Sequence, residues 1–157
     1  LPMKRLLKFI ASLIVSFSAA VIGSLASVSA IPTWYSALEK PILNPPNIVF
    51  GPVWTVLYVL IAISLYLFWT SEGHGKVGGY IAFGVQLVLN ALWSVVFFGL
   101  QLPLLGAFVI VLLDIMVVVT IILFYEHSRK AAYLLLPYLA WILFASYLSI
   151  SIWLLNS

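Results

Sequence analysis

The segment WYSALEKPILNPPNIVFGPVWTVLY, residues 34–58, decides how this chain is read. It carries Pro41, Pro45, Pro46 and Pro52, with Pro32 just upstream, and its only charges are Glu39 and Lys40. Trp34, Tyr35, Trp54 and Tyr58 give it aromatic area to bury. Its loop portion sits between two long apolar segments. A loop between membrane helices is ordinarily short or hydrophilic, and this one is neither. Proline fixes φ near about −65° and removes an N–H donor, which stiffens the loop. Irregular backbone at membrane depth is tolerated only where it packs against protein. Residues 31–47 are therefore expected to fold back as a lid over a helical bundle.

The rest of the chain supports a bilayer as its solvent. Of 157 residues, 65% are hydrophobic and 7% charged, against about a quarter charged in a soluble domain. Apolar runs long enough to span occur five times, near residues 6–30, 48–69, 78–100, 104–125 and 131–154. The expected fold is all-α: a single integral membrane domain of five transmembrane helices. The first span lacks a small-residue cleavage site and is read as a retained helix, not a signal peptide. The net charge of +3 comes with no basic cluster suited to nucleic acid. There is no cysteine, and His74 and His127 alone are too few ligands for a metal site.

Charge sets the expected orientation. With five spans, Lys4, Arg5, Lys8, Lys76, Arg129 and Lys130 share one side, and only Lys40 lies on the other. The excess of Lys and Arg marks the cytoplasmic side. The N-terminus is thus expected in the cytoplasm and the proline-rich loop outside.

Within the spans, polar residues point to the interior. Asp114 stands alone at the middle of the fourth span, where a carboxylate costs about 2.5–3.5 kcal/mol on insertion scales. It is expected to face inward, protonated or hydrogen-bonded, as a pocket-lining anchor; an interhelical hydrogen bond is the alternative. Gln86, Asn90, Trp93 and Phe97 recur on one helical face. They read as an inward stripe, lining a pocket or acting as polar glue. Tyr138, Trp141, Ala145 and Leu148 repeat the pattern in the fifth span. A small-residue stripe in the first span (Ser12, Ser16, Ala19, Gly23, Ala26 or Ser27, Ala30) either packs closely or leaves room for a ligand.

The tryptophans separate by depth. Trp69 and Trp153 lie near span ends, where an interfacial belt accounts for them. Trp54 and Trp93 fall in the outer half and Trp141 near the middle. Together with Asn90 and Asp114 they are placed to converge under the loop. The result would be an aromatic-walled cavity with a few polar groups at its floor, suited to a flat apolar ligand. Core packing of tryptophan on tryptophan is the competing reading.

These blocks, with LNALWSVVFFG (89–99) and LLPYLAWILFASYL (135–148), resemble the tryptophan-rich sensory protein family, also called the translocator protein or peripheral-type benzodiazepine receptor family. Their order and spacing match across nearly the whole chain. The resemblance implies a receptor or sensor that binds tetrapyrroles such as protoporphyrin IX, sterols, and isoquinoline carboxamide and benzodiazepine drugs beneath the first loop. Carried over residue by residue, the ligand site is Tyr35, Pro45, Trp54, Asn90, Trp93, Asp114, Trp141 and Ala145. Light- and oxygen-dependent porphyrin breakdown in bacterial relatives would point to Trp54 and Trp141 as its residues. Tetrapyrrole or sterol transport is a further alternative, although the paired broken helices of many carriers are not evident. No obligatory cofactor is implied, and the expected partners are membrane lipid and a second copy in a homodimer. The sterol-recognition pattern needs a basic residue after Tyr147, and ASYLSISIWLLNS has none, which suits a bacterial member.

Overall fold

The computed structural model describes residues 2–157, and all regular structure among them is helical. Helix α1 spans Met3–Ser27, α2 Asn47–Trp69, α3 Val77–Ser94 and α4 Pro103–Tyr125. The fifth span is two pieces, α5 Arg129–Leu134 and α6 Leu136–Leu155. All five spans have the length and hydropathy to cross a membrane, so the chain is an integral multi-pass membrane protein. The first expected span ran to residue 30, but α1 ends at Ser27 and the chain turns from there into the lid.

Two irregularities have local causes. Pro137 opens α6 at its first turn. It has no N–H to donate back and its ring clashes with the carbonyl four residues earlier, so the helix breaks at Leu135. The second is a π-turn over Val95–Gly99 at the end of α3. A π-turn inserts one extra residue per turn. Phe97 and Phe98 therefore both reach Trp93, with ring centroids at 5.7 and 5.9 Å.

The helices form a ring in which α1 touches α2 and α3, α4 touches α3 and α6, and α5 closes on α2 and α4. The α5 closure is fixed by the buried Ser64 hydroxyl, which donates to the Ala131 carbonyl at 2.7 Å. Beyond it α2 and α6 barely meet, which leaves room at the lid end. The other end is packed solid: Phe68 stacks on Phe124 at 4.0 Å and 7°. Lys8 lies over the Trp69 ring at 5.5 Å, and Lys76 Nζ donates to the Trp69 and Ser71 carbonyls at 3.1 and 2.9 Å. The amino-terminal and second-loop cations thus share one end of the bundle.

Close helix approach rests on glycines, Gly23, Gly79 and Gly106 among them. The small-residue stripe of α1 is buried at Ser12, Ser16, Ala19 and Gly23, and a Cβ on Gly23 would stand 3.2 Å from Ser94 Oγ. On α3, a Cβ on Gly79 would lie 2.5 Å from Phe68 Cζ. Gly79→Ala is therefore expected to destabilise the bundle by about 1–3 kcal/mol, because the stacked Phe68 ring must move. Gly84, where a Cβ meets nothing within 4 Å, is the control: Gly84→Ala should be neutral or stabilising. Thermal unfolding in detergent separates the two, and equal midpoints would refute the packing argument.

Candidate ligand-binding site

Under the proline-rich loop lies a cavity of about 250 Å³. The loop over it is ordered by its own bonds. A 3₁₀ turn forms over Tyr35–Ala37, and Tyr35 N–H donates to the Ala30 carbonyl at 2.8 Å. Tyr35 is 3% exposed, its hydroxyl donates to Asn44 Oδ1 at 2.9 Å, and Lys40 sits over its ring at 4.9 Å. Burial raises the Tyr35 pKa, so the hydroxyl remains a donor well into the alkaline range. Trp34 packs edge-on against Phe97 at 5.6 Å. The far side of the loop is tied to the last turn of α6. Asn156 Oδ1 accepts from the Glu39 N–H at 3.0 Å, and Asn156 Nδ2 donates to the Glu39 carbonyl at 2.8 Å.

The walls are aromatic. Trp54 and Trp93 lie side by side at 6.3 Å, with Tyr58 5.6 Å from Trp54. Trp141 faces them from α6, with Phe50 at 6.1 Å, and Ala145 stands one turn further along. The cavity also takes in Phe97 and Phe98. Neither the Trp93 nor the Trp141 indole N–H has an acceptor among the described residues, although both atoms are buried. A buried donor without a partner costs about 1–3 kcal/mol. What the arrangement offers is an aromatic-walled cavity with no charged group, two of whose wall residues carry unpaired indole N–H groups.

Of the residues expected at the site, Tyr35, Trp54, Trp93, Trp141 and Ala145 line the cavity. Three do not. Asn90 is 2% exposed and lies one layer beneath the cavity, behind Tyr58. Its Oδ1 accepts from the Tyr58 hydroxyl, and its Nδ2 donates at 2.9 Å to the Tyr138 hydroxyl, which donates on to Gln86 Oε1 at 2.8 Å. It is a packing residue that positions a wall residue, so the polar-glue reading of the α3 stripe holds for Asn90 and Gln86. Asp114 is half-buried on the α4–α6 seam, and Ser146 Oγ donates to its Oδ2 at 2.6 Å. Ser146 is the neighbour of Ala145 but stands outside the cavity lining, so the acid is held away from the slot. Asp114 is thus the interhelical hydrogen bond, not a lining anchor. Pro45 is also outside the lining; with Pro46, the residue that precedes α2, it carries the chain into that helix.

Among the lining residues that periodicity missed are Phe98 and Phe50. Phe98 reaches the cavity only because of the π-turn. Phe50 had a signal in the sequence: it lies one helical turn before Trp54, on the same face. Trp69 and Trp153 lie outside the cavity, near their helix ends.

The sequence comparisons agree with this architecture. The TspO/MBR family pattern matches residues 11–154. The tryptophan-rich protein TspO of Archaeoglobus fulgidus is 48% identical over 153 residues, covering 98% of this chain and 99% of the relative. The tryptophan-rich protein TspO of Chlorobaculum tepidum is 42% identical over 136 residues, 85% of this chain and 86% of the relative. The translocator protein of Homo sapiens is 35% identical over 123 residues, 76% of this chain and 73% of the relative. With the family pattern running from the first helix to the last, this chain belongs to the TspO/MBR family.

Proposed function

We propose that this protein is a membrane receptor or sensor that holds a tetrapyrrole such as protoporphyrin IX in the cavity under its first loop. Sterols and isoquinoline carboxamide drugs are other flat apolar ligands of the same slot. The observation that carries this reading is the slot itself: three tryptophans around one cavity, two of them with unpaired indole N–H groups. Aromatic faces stack on a conjugated ring, and the free donors suit carbonyl or carboxylate oxygens at its edge. The charge asymmetry between the two ends supports an orientation with the loop outside and the N-terminus in the cytoplasm.

The test is a titration of the purified protein with protoporphyrin IX, followed by quenching of tryptophan fluorescence. Saturable quenching is expected; a linear, non-saturable response would remove the reading. Asp114 supplies a second check. Because its carboxyl lies outside the slot, Asp114→Asn is expected to bind within about twofold of the unaltered protein, well under the 1.4 kcal/mol of a tenfold change. A tenfold loss in that variant would return the acid to the site.

A second reading is photo-oxidative breakdown of the bound porphyrin, with light and molecular oxygen as co-reactants. Trp54 favours it, since its ring lies 5.6 Å from Tyr58, 6.3 Å from Trp93 and 6.4 Å from Tyr138. Such a cluster could share an oxidising equivalent. Illumination in air should then give a product whose yield depends on Trp54 and Trp141. Transport of tetrapyrrole or sterol, which the name of the translocator relatives suggests, would be tested by flux into liposomes.

A further inference from the structure

The cavity is closed above and open at the side. Among its lining residues, those exposed at the surface are Ser24, Gly51 and Thr55. The lining residues contributed by α3, α6 and the lid are all buried or half-buried. The three exposed ones belong to the facing flanks of α1 and α2. Phe17 packs on Tyr58 and Phe9 on Tyr66, at 5.9 and 5.5 Å. This antiparallel register places Ser24 opposite Gly51 and Ala20 opposite Thr55. A Cβ added to Gly51 would meet nothing within 4 Å, so the α2 flank of the cavity is open beside that residue.

The chemistry of this gap suits lipid. Ser27 Oγ donates to the Gly23 carbonyl at 2.8 Å, and Thr55 Oγ1 to the Gly51 carbonyl at 2.8 Å. Both hydroxyl protons are thus satisfied on their own helices. The outer lip is apolar, with Val21, Leu25, Val28 and Ile48 exposed. The aqueous face, by contrast, is shut by Tyr35 and by the paired bonds between Glu39 and Asn156.

From these observations we infer that flat apolar ligands reach the cavity sideways from the bilayer, through the gap between α1 and α2, while the lid stays latched on Asn156. The inference rests on the cavity being the ligand site. It follows that the lid is a fixed roof and that the α1–α2 seam is the part that opens. A macrocycle wider than the resting gap needs the two helices to part, so pinning them should slow binding and release together.

The absence of native cysteines makes a clean test. Val28→Cys/Ile48→Cys places two thiols across the outer lip, and neither residue lines the cavity. Glu39→Cys/Asn156→Cys does the same across the lid. Each variant is reconstituted in liposomes and bridged with a reducible crosslinker after folding, and protoporphyrin IX association is followed by tryptophan quenching. Pinning α1 to α2 is expected to slow association and dissociation by at least about tenfold, with the saturating amplitude retained and the rates restored by reductant. Bridging the lid is expected to leave both rates within about twofold. The opposite pattern, or rates indifferent to the α1–α2 bridge, would overturn lateral access while leaving the ligand site standing. If the unbridged protein shows no saturable binding, the ligand reading fails, and lateral access fails with it.

Discussion

Replacing Trp141 with phenylalanine is expected to weaken protoporphyrin IX binding at least about fivefold, and replacing Trp54 about two- to thirteenfold. Each change shortens one wall of the slot, and an aromatic contact is worth about 0.5–1.5 kcal/mol beyond area burial. Trp141→Phe also removes an indole N–H that has no protein partner; a ligand hydrogen bond there adds about 0.5–1.5 kcal/mol. Together these give about 1–3 kcal/mol for Trp141, against about 0.5–1.5 kcal/mol for Trp54, and 1.4 kcal/mol is tenfold in affinity. Trp69→Phe and Trp153→Phe, outside the cavity, should bind within about twofold of the unaltered protein. Fluorescence titration of the four variants decides the matter. Equal losses in all four would mean that quenching reports nonspecific partition, and the slot would lose its main support.

The largest stability effect is expected at Asn90. Interhelical hydrogen bonds in membranes are worth only about 0.6 kcal/mol on average. Asn90, however, serves two tyrosines and is itself buried. Asn90→Leu leaves the Tyr58 hydroxyl without an acceptor and takes one donor from Tyr138. The expected cost is about 2–3 kcal/mol, dominated by the unsatisfied buried hydroxyl. Tyr58→Phe removes that orphan, so the double variant should cost less than the sum of the two single changes. Equilibrium unfolding of the four species gives the coupling. Additive effects, or a cost for Asn90→Leu below about 0.5 kcal/mol, would show that the network does not hold α2, α3 and α6 together.

Much of the site was legible because two simple signals agreed. Depth along a span and helical periodicity together singled out Trp54, Trp93, Trp141 and Ala145, which line one cavity. The same signals misplaced Asn90 and Asp114. Periodicity orders residues around one helix, but it does not say which inward neighbour each will meet. Asn90 met two tyrosine hydroxyls before it could reach the cavity. Asp114 met Ser146, whose hydroxyl can hold a carboxyl without any basic partner. The interhelical hydrogen bond weighed as the alternative for Asp114 is the one formed, with a serine on the fifth span.

What the sequence alone determined is the frame. Five apolar runs of spanning length, too few charges for a water-facing surface and a proline-stiffened aromatic loop leave little choice but a membrane bundle with a packed cover, because the bilayer rewards only segments that satisfy their own backbone. What only the tertiary structure decided is where the frame is solid and where it is open. The π-turn that brings Phe98 beside Phe97, the clasp of Asn156 on Glu39 and the gap flanked by Ser24, Gly51 and Thr55 all depend on how far neighbouring helices stand apart. That distance is set by the sum of side chains meeting across each seam, from residues far apart in the chain, and no single stretch of sequence contains it.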